Sequence, residues 1–261
     1  MRIGAVLPRH AVRQHRALVS LLEQVGARVS SVPFVHAAYD SVFIKDNALL
    51  VSAGIRDGRA LLARPRFGER ALEQGSRERA LRARGFRISD GETAAFEGGD
   101  VVMLPFGQGA LLGTGFRSDK SAAPALSRFL DTPVHVLELR SPHLYHLDTA
   151  CAALADGIVA FCPDAFTATS VRWLERNVGR ESLVRVRYAD ACSFALNIVE
   201  VGQHAILGGP SRSLEAKLRG RGWIVHVPDL AQFRHAGGSA ACLVSRVHDT
   251  PRAVSTHSVA A

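Results

Sequence analysis

Hydrophobic and polar positions alternate along this chain in a repeating order. Four segments read as an apolar strand, a glycine-containing turn and a second apolar strand: NALLVSAGIRDGRALLAR, VVMLPFGQGALLGTG, TACAALADGIVAFCP and NIVEVGQHAILGG. Asp57-Gly58 and Asp156-Gly157, set between apolar runs, are hairpin chemistry. Gly107, Gly157 and Gly202 mark equivalent turns, and Gly58 fits the same series. A fifth segment, ACLVSRV, supplies one strand near the C-terminus.

Helical patterns lie between the hairpins. His15, Leu18, Leu22 and Val25 share one helical face, Pro124 to Leu130 gives a short helix, and Leu214 and Leu218 are i, i+4 neighbours with Ser211 as N-cap. A short strand follows each helix: ARVSSVPF, GFRISD, TPVHVLEL, LVRVRYA and GWIVHVPD. Helix, strand and hairpin thus recur about five times. Such modules cannot bury their apolar faces alone, but arranged about an axis they bury them against one another.

The repeat has a beat. Asp46, Glu97, His146, Asn197 and Cys242 stand at or just before the start of an apolar run, separated by 51, 49, 51 and 45 residues. If equivalent positions point to one centre, two acids, a histidine and a thiol meet there. Those are the parts of a nucleophilic cysteine with acid–base partners. Asn197 keeps the beat with a structural role only.

Composition narrows the class. The 261 residues include 47% hydrophobic and 21% charged side chains, a globular balance in which no apolar run approaches a membrane span. The start, MRIGAVLPRH, reads as no signal peptide. Four widely spaced cysteines form no metal or redox pair motif, which suits reduced thiols in a cytoplasm. The net charge of +8 raises nucleic acid as a partner. The excess, however, is scattered arginine, and the densest stretch, Arg77 to Arg87, reads as a solvated helix and turn without interleaved aromatics.

The local signals are individually weak. An apolar-flanked cysteine is usually a core residue, and Cys151, Cys162 and Cys192 are read so. Cys242 differs because it follows Gly237-Gly238 and lies on the beat. In an extended strand His146 and Asp148, at i and i+2, would face one side and meet one ligand. Glu97 precedes Gly98-Gly99, a pair that suggests close backbone approach or positive φ. Asp40 and Asp46 could join the same pocket from the first module. Several carboxylates would hold a planar guanidinium by paired hydrogen bonds, leaving its central carbon open to a thiolate.

With DSVFIKDNALL, FEGGDVV, LLGTGFRSD, YHLDTACAAL and GGSAACLVSRV in this order, the chain resembles the guanidine-modifying pentein superfamily, and in size the dimethylarginine dimethylaminohydrolases. The resemblance implies a five-bladed α/β propeller of pseudo-fivefold ββαβ modules over residues 1–250, followed by a tail at 251–261. It implies Cys242 as nucleophile, His146 as general acid then base, and Glu97 as the carboxylate orienting His146 or the guanidinium. Asp46, Asp40 and Asp148 would bind the guanidinium side of the substrate, with Arg117 and Arg70 receiving its carboxylate. The implied reaction is hydrolysis of a (methyl)arginine-like guanidinium through a covalent thiouronium, with no metal or cofactor. The partner is a small guanidino molecule, with no nucleic acid, no membrane, and a homodimer as the assembly considered. Lys45, where dimethylargininases usually have Glu, and the acid Asp148 look more like arginine deiminases, although this chain is much shorter than those. Methylarginine, arginine and other guanidino compounds all stay open as substrates. Arginine deimination, amidino transfer and a non-catalytic, ribosome-binding propeller are the rival readings.

Overall fold

A computed structural model describes residues 6–52, 58–89 and 93–249 of the chain. Each of the four apolar pairs folds as an antiparallel hairpin: β1 (Ala48–Ser52) with β2 (Gly58–Leu62), β4 (Val101–Met103) with β5 (Ala110–Thr114), β7 (Cys151–Ala153) with β8 (Val159–Phe161), and β10 (Ile198–Val201) with β11 (His204–Leu207). A helix then returns the chain, and a short strand joins parallel to the second hairpin strand. These strands are β3 (Arg87–Ile88), β6 (Val134–Glu138), β9 (Leu183–Arg185) and β12 (Ile224–His226). The described residues therefore hold four separate sheets, three of three strands and one of four.

Turn chemistry explains the hairpins. Gly107, Gly157 and Gly202 take φ of 69°, 93° and 55°, the left-handed region that costs other residues energy. Gly58 does not belong to that series: it opens β2, where an added Cβ would meet the Phe86 ring at 2.9 Å. Asp57 and the tail at 251–261 lie outside the described residues.

The first strands of all four hairpins face one cavity of about 260 Å³, which Val244, Ser245, Arg246 and His248 also line. The largest apolar cluster joins the modules of β4 to β12, with Leu111, Leu137, Leu147, Phe161 and Leu207 fully buried. The helices behave as their patterns predict: Pro8–Gln24 buries Leu18 and Leu22, Ala123–Leu130 buries Leu126 and Leu130, and Arg212–Gly220 is capped by the Ser211 hydroxyl accepting from the Leu214 N–H.

Three expectations need correction. ARVSSVPF forms no strand among the described residues; it runs without a ladder partner to hold it extended. In ACLVSRV the cysteine lies on a 3-10 turn, Ala241–Leu243, and the strand comes later, as β13 (Val247–Asp249). β13 joins the first sheet, parallel to β1. Finally, the arginine-rich helix is not wholly solvated. Arg77 is buried, donating to Asn47 Oδ1 at 2.8 Å, the Pro33 carbonyl at 2.8 Å and Ser41 Oγ at 2.9 Å.

Candidate active site

The beat residues do not enter their strands directly. Asp46 lies in the turn Ile44–Asn47, Glu97 caps Gly98–Asp100, His146 caps Leu147–Ala150, and Cys242 lies in Ala241–Leu243. A single helical turn thus separates each from, or precedes, the extended run. Glu97 and His146 are true equivalents, with φ, ψ of −128°, 146° and −112°, 145°. The reading of His146 and Asp148 as strand neighbours is overturned by this turn. In a helical turn, i and i+2 point to nearly opposite sides, so the two serve different partners.

His146 faces two acids. Its Nε2 lies 2.8 Å from Glu97 Oε2 and its Nδ1 lies 3.7 Å from Asp46 Oδ1. Gly98 and Gly99 permit this approach. A Cβ on Gly98 would sit 2.1 Å from the Lys45 carbonyl, and one on Gly99 would sit 2.5 Å from Asp46 Oδ1 and 3.1 Å from the imidazole. The Gly99 N–H instead donates to Asp46 Oδ1 at 3.0 Å. Burial alone would push the imidazole pKa down, but Asp46, Glu97 and Asp100 outweigh it and hold His146 at about 9. Burial would raise Glu97, yet the hydrogen bond and charge of His146 bring it below the usual carboxylate range. At neutral pH this pair is an imidazolium and a carboxylate.

Two arginines flank the acids. Arg117 lies 3.3 Å from Glu97 Oε2, its guanidinium between the Phe67 and Tyr145 rings at 4.9 and 4.8 Å. Arg70 is buried. It pairs with Asp46 Oδ2 at 3.5 Å and Glu73 Oε1 at 3.2 Å, and donates to the Phe43 carbonyl at 3.0 Å and the Asp40 carbonyl at 3.4 Å. The expected role of Arg70 as a receiver of a substrate carboxylate is therefore corrected: its donors are spent inside the protein. The segment from Arg64 to Gly75 is pinned by Arg70 and the fully buried Glu73. Asp40, in the turn above Arg70, is half-buried.

The thiol has different surroundings. Asn197 Nδ2 lies 3.2 Å from Cys242 Sγ, and Asn197 Oδ1 accepts from the Ala241 and Cys242 N–H groups at 2.9 and 3.3 Å. Burial pushes the thiol pKa well above its ordinary value, the negative charges of Asp148 and Asp46 add to that, and the Ser239 N–H and Lys45 oppose it. The Lys45 ammonium lies 2.9 Å from Asp148 Oδ2, an ion pair off the direction of a hydrogen bond. Asp148 Oδ1 is buried with no hydrogen-bond partner among the described residues. Tyr145 ties the two halves together, its hydroxyl donating to the Gly237 carbonyl at 3.1 Å.

Several participants escaped the sequence reading. Asp100 accepts from Ser118 Oγ at 2.6 Å and the Leu147 N–H at 3.0 Å, and Ser118 Oγ accepts from the Glu97 N–H at 3.1 Å. One buried acid thereby braces both the Glu97 and His146 turns; burial raises its pKa to about 7. Its place three residues after a beat position was the available signal. Asp46, Glu97 and His146 also offer ligand atoms within 4.8 Å of one another, a spacing a metal ion could use. The arginines already supply positive charge there, and Arg117 and His146 both occupy Glu97.

No protein-family model matches the chain. Among curated proteins it is 38% identical over 158 residues to the bifunctional arginine dihydrolase/ornithine cyclodeaminase AgrE of Nostoc sp., covering 60% of this chain and 22% of that protein. It is 34% identical over 195 residues to the N(G),N(G)-dimethylarginine dimethylaminohydrolase of Mycobacterium tuberculosis, covering 72% of this chain and 61% of that enzyme. The chain thus spans under a quarter of the cyanobacterial protein and less than two thirds of the mycobacterial one. Its fold superposes with a TM-score of 0.89 on the N-terminal domain of ArgZ, a cyanobacterial arginine dihydrolase, covalently bound to a reaction intermediate. There the identity is 31%, with 95% of this chain and 90% of that domain covered.

Proposed function

The chain belongs to the guanidine-modifying pentein superfamily, with the arginine dihydrolase domains and the dimethylarginine dimethylaminohydrolases, and we propose that it is a cysteine hydrolase acting on the guanidinium of an arginine-like substrate. Residues 1–250 are taken as one catalytic domain, a propeller whose fifth blade completes the ring of four sheets. Cys242 is the nucleophile, His146 the acid and then base, and Glu97 its orienting carboxylate.

The observation that carries this reading is the buried Asp148 carboxylate, with one oxygen unpartnered and its charge acting on the Cys242 thiol. A guanidinium donated to that oxygen supplies the missing hydrogen bond. Its positive charge also reverses the local field that disfavours the thiolate. Asp46, and Asp40 nearer the mouth, hold the remaining guanidinium edge, while Arg117 at the rim takes the carboxylate. No step requires a metal or cofactor.

Chemistry then follows the charges. As the guanidinium binds, Cys242 gives up its proton to solvent; the thiolate lone pair then bonds to the central guanidinium carbon, and the C–N π electrons move onto nitrogen. His146, an imidazolium at neutral pH, gives its proton to the departing amine as the C–N bond breaks, leaving an S-alkylthiouronium. Neutral His146 next takes a proton from water, whose oxygen attacks the same carbon. The C–S bond breaks and the hydroxyl proton passes to solvent or the released amine, returning the thiolate and releasing a ureido product such as citrulline. Whether the amine is ammonia or a methylamine depends on the substituent the pocket admits. The test is incubation with arginine, methylated arginines and other guanidino compounds, with and without an amine acceptor, scored for ureido product and released amine. Ureido product that disappears in Cys242→Ser is expected; product from no compound, or an undiminished Cys242→Ser enzyme, would refute the reading.

A further inference from the structure

Asn197 is fully buried at the base of β10 and makes four contacts with its side-chain amide. Its oxygen accepts from two backbone N–H groups, those of Ala241 and Cys242. Its nitrogen faces Cys242 Sγ at 3.2 Å and the Asp148 carbonyl at 3.4 Å. An amide has two donors and one twofold acceptor, so its capacity is used up.

The orientation of this amide is forced. Flipping it would set its N–H groups against two N–H donors and its oxygen against the Asp148 carbonyl and the sulfur. Each flipped contact would bury an unpaired polar group, at a cost no neighbour offsets. The donor must therefore face sulfur.

The neighbouring turn explains why a side chain from another module is needed. A helical turn leaves its first N–H groups without partners. Ala240, which precedes Ala241–Leu243, has no side chain that could cap them. Asn197 caps that turn from a distance. Its own backbone is held by its N–H donating to the Phe194 carbonyl at 3.1 Å and its carbonyl accepting from the Gly208 N–H at 3.0 Å.

We propose that Asn197 is a positioning residue that aims the Cys242 sulfur and, by presenting only a donor to it, favours the thiolate over the thiol. The proposal rests on the reading of Cys242 as the nucleophile. A donor at 3.2 Å is stronger to a charged sulfur than to a neutral one. It acts together with the Ser239 N–H and Lys45, against the burial and acids that hold the thiol protonated. The hydrogen bond also fixes the direction from which the sulfur approaches a guanidinium lying on Asp148.

The test needs no substrate. Alkylation of Cys242 by iodoacetamide is followed against pH by mass spectrometry of its peptide, which separates it from the half-buried Cys192. Asn197→Ala is expected to slow alkylation at neutral pH by about 10- to 100-fold, the range for a lost hydrogen bond to a charged group, and to move the pH midpoint upward. Asn197→Asp keeps the acceptor for the two N–H groups but sets a negative acceptor at sulfur. It is expected to fold with a lowered melting temperature, because an oxygen then faces the Asp148 carbonyl, and to move the midpoint at least as far. In an active enzyme both variants would lower kcat and leave KM nearly unchanged. Unshifted midpoints in Asn197→Asp would overturn the proposal. So would an Asn197→Asp protein that fails to fold, since the residue would then serve the fold alone. If Asn197→Ala does not fold, Asn197→Asp decides. A shifted midpoint in a protein that turns over no guanidine would sustain the clamp and sink the proposed reaction.

Discussion

Around His146 the hydrogen-bond partner is an ion, whereas around Cys242 the direct partners are neutral amide groups. Glu97, Asp46, Arg70 and Arg117 interlock about the imidazole within 3.7 Å or less of one another or of the ring. The sulfur meets the Asn197 amide and the Ser239 N–H, with Lys45, Asp46 and Asp148 acting on it through charge. The difference teaches how two buried groups that share the field of Asp46 can be held in opposite protonation tendencies, a stored proton on one and a withheld negative charge on the other. Three acids, Asp46, Glu97 and Asp100, pin positive charge on His146. Burial, with the charges of Asp148 and Asp46, holds the thiol protonated.

Removing the sulfur tests the contrast most severely. Cys242→Ser is expected to lower turnover by roughly 10^3-fold or more, because a hydroxyl in the same place lacks the thiol's access to an anionic nucleophile. Accumulated ureido product at the wild-type rate would end the assignment. On the other side, Glu97→Gln should lower kcat by about 10^2-fold. It should also move the basic limb of the pH–rate profile downward, since one of the acids holding His146 at about 9 is gone. An unmoved limb would mean that Glu97 does not set the proton affinity.

Arg117→Ala should raise KM about tenfold for a guanidino substrate bearing a carboxylate and leave one without a carboxylate nearly unchanged. Equal losses for both would place Arg117 in the service of Glu97 alone.

The smallest effect is on stability. His146 has a folded-state pKa raised from 6.5 to about 9, so its contribution is fully present below about pH 6.5 and lost as pH rises through about 9. On the order of 1–3 kcal/mol, this should lower the melting temperature by roughly 5 °C between pH 6.5 and 9.5. Glu97→Gln should flatten that slope; an identical slope would assign it to other groups.

The hairpins were legible in the sequence because their signals are local. Gly157 between ALAD and IVAF, or Ser211 before the helix Arg212–Gly220, acts on neighbours in the chain. The periodic spacing of Asp46, Glu97, His146 and Cys242 was legible for a related reason, since repeated modules repeat their strand mouths. What failed were inferences about direction. His146 and Asp148 were read as same-side neighbours, but one helical turn, Leu147–Ala150, divides them. Arg70 and Arg77 looked like available or solvated cations, yet Asp46 and Glu73 hold the first, and Asn47, Ser41 and Pro33 the second. The partners lie as much as 44 residues away, and no local pattern reports them. ARVSSVPF had the composition of a strand but no described ladder partner.

By itself, then, the sequence determined the module, its order and the chemical types at its recurring position, because backbone turn preference and apolar periodicity are properties of short segments. Only the tertiary structure decided which of those side chains touch. It turned Asn197 from a time-keeper into the partner of Cys242, set Lys45 against Asp148, and withdrew Arg70 into the interior. Burial is the physical reason. A buried ion or amide must find its partners wherever the folded chain provides them, and those partners come from other modules.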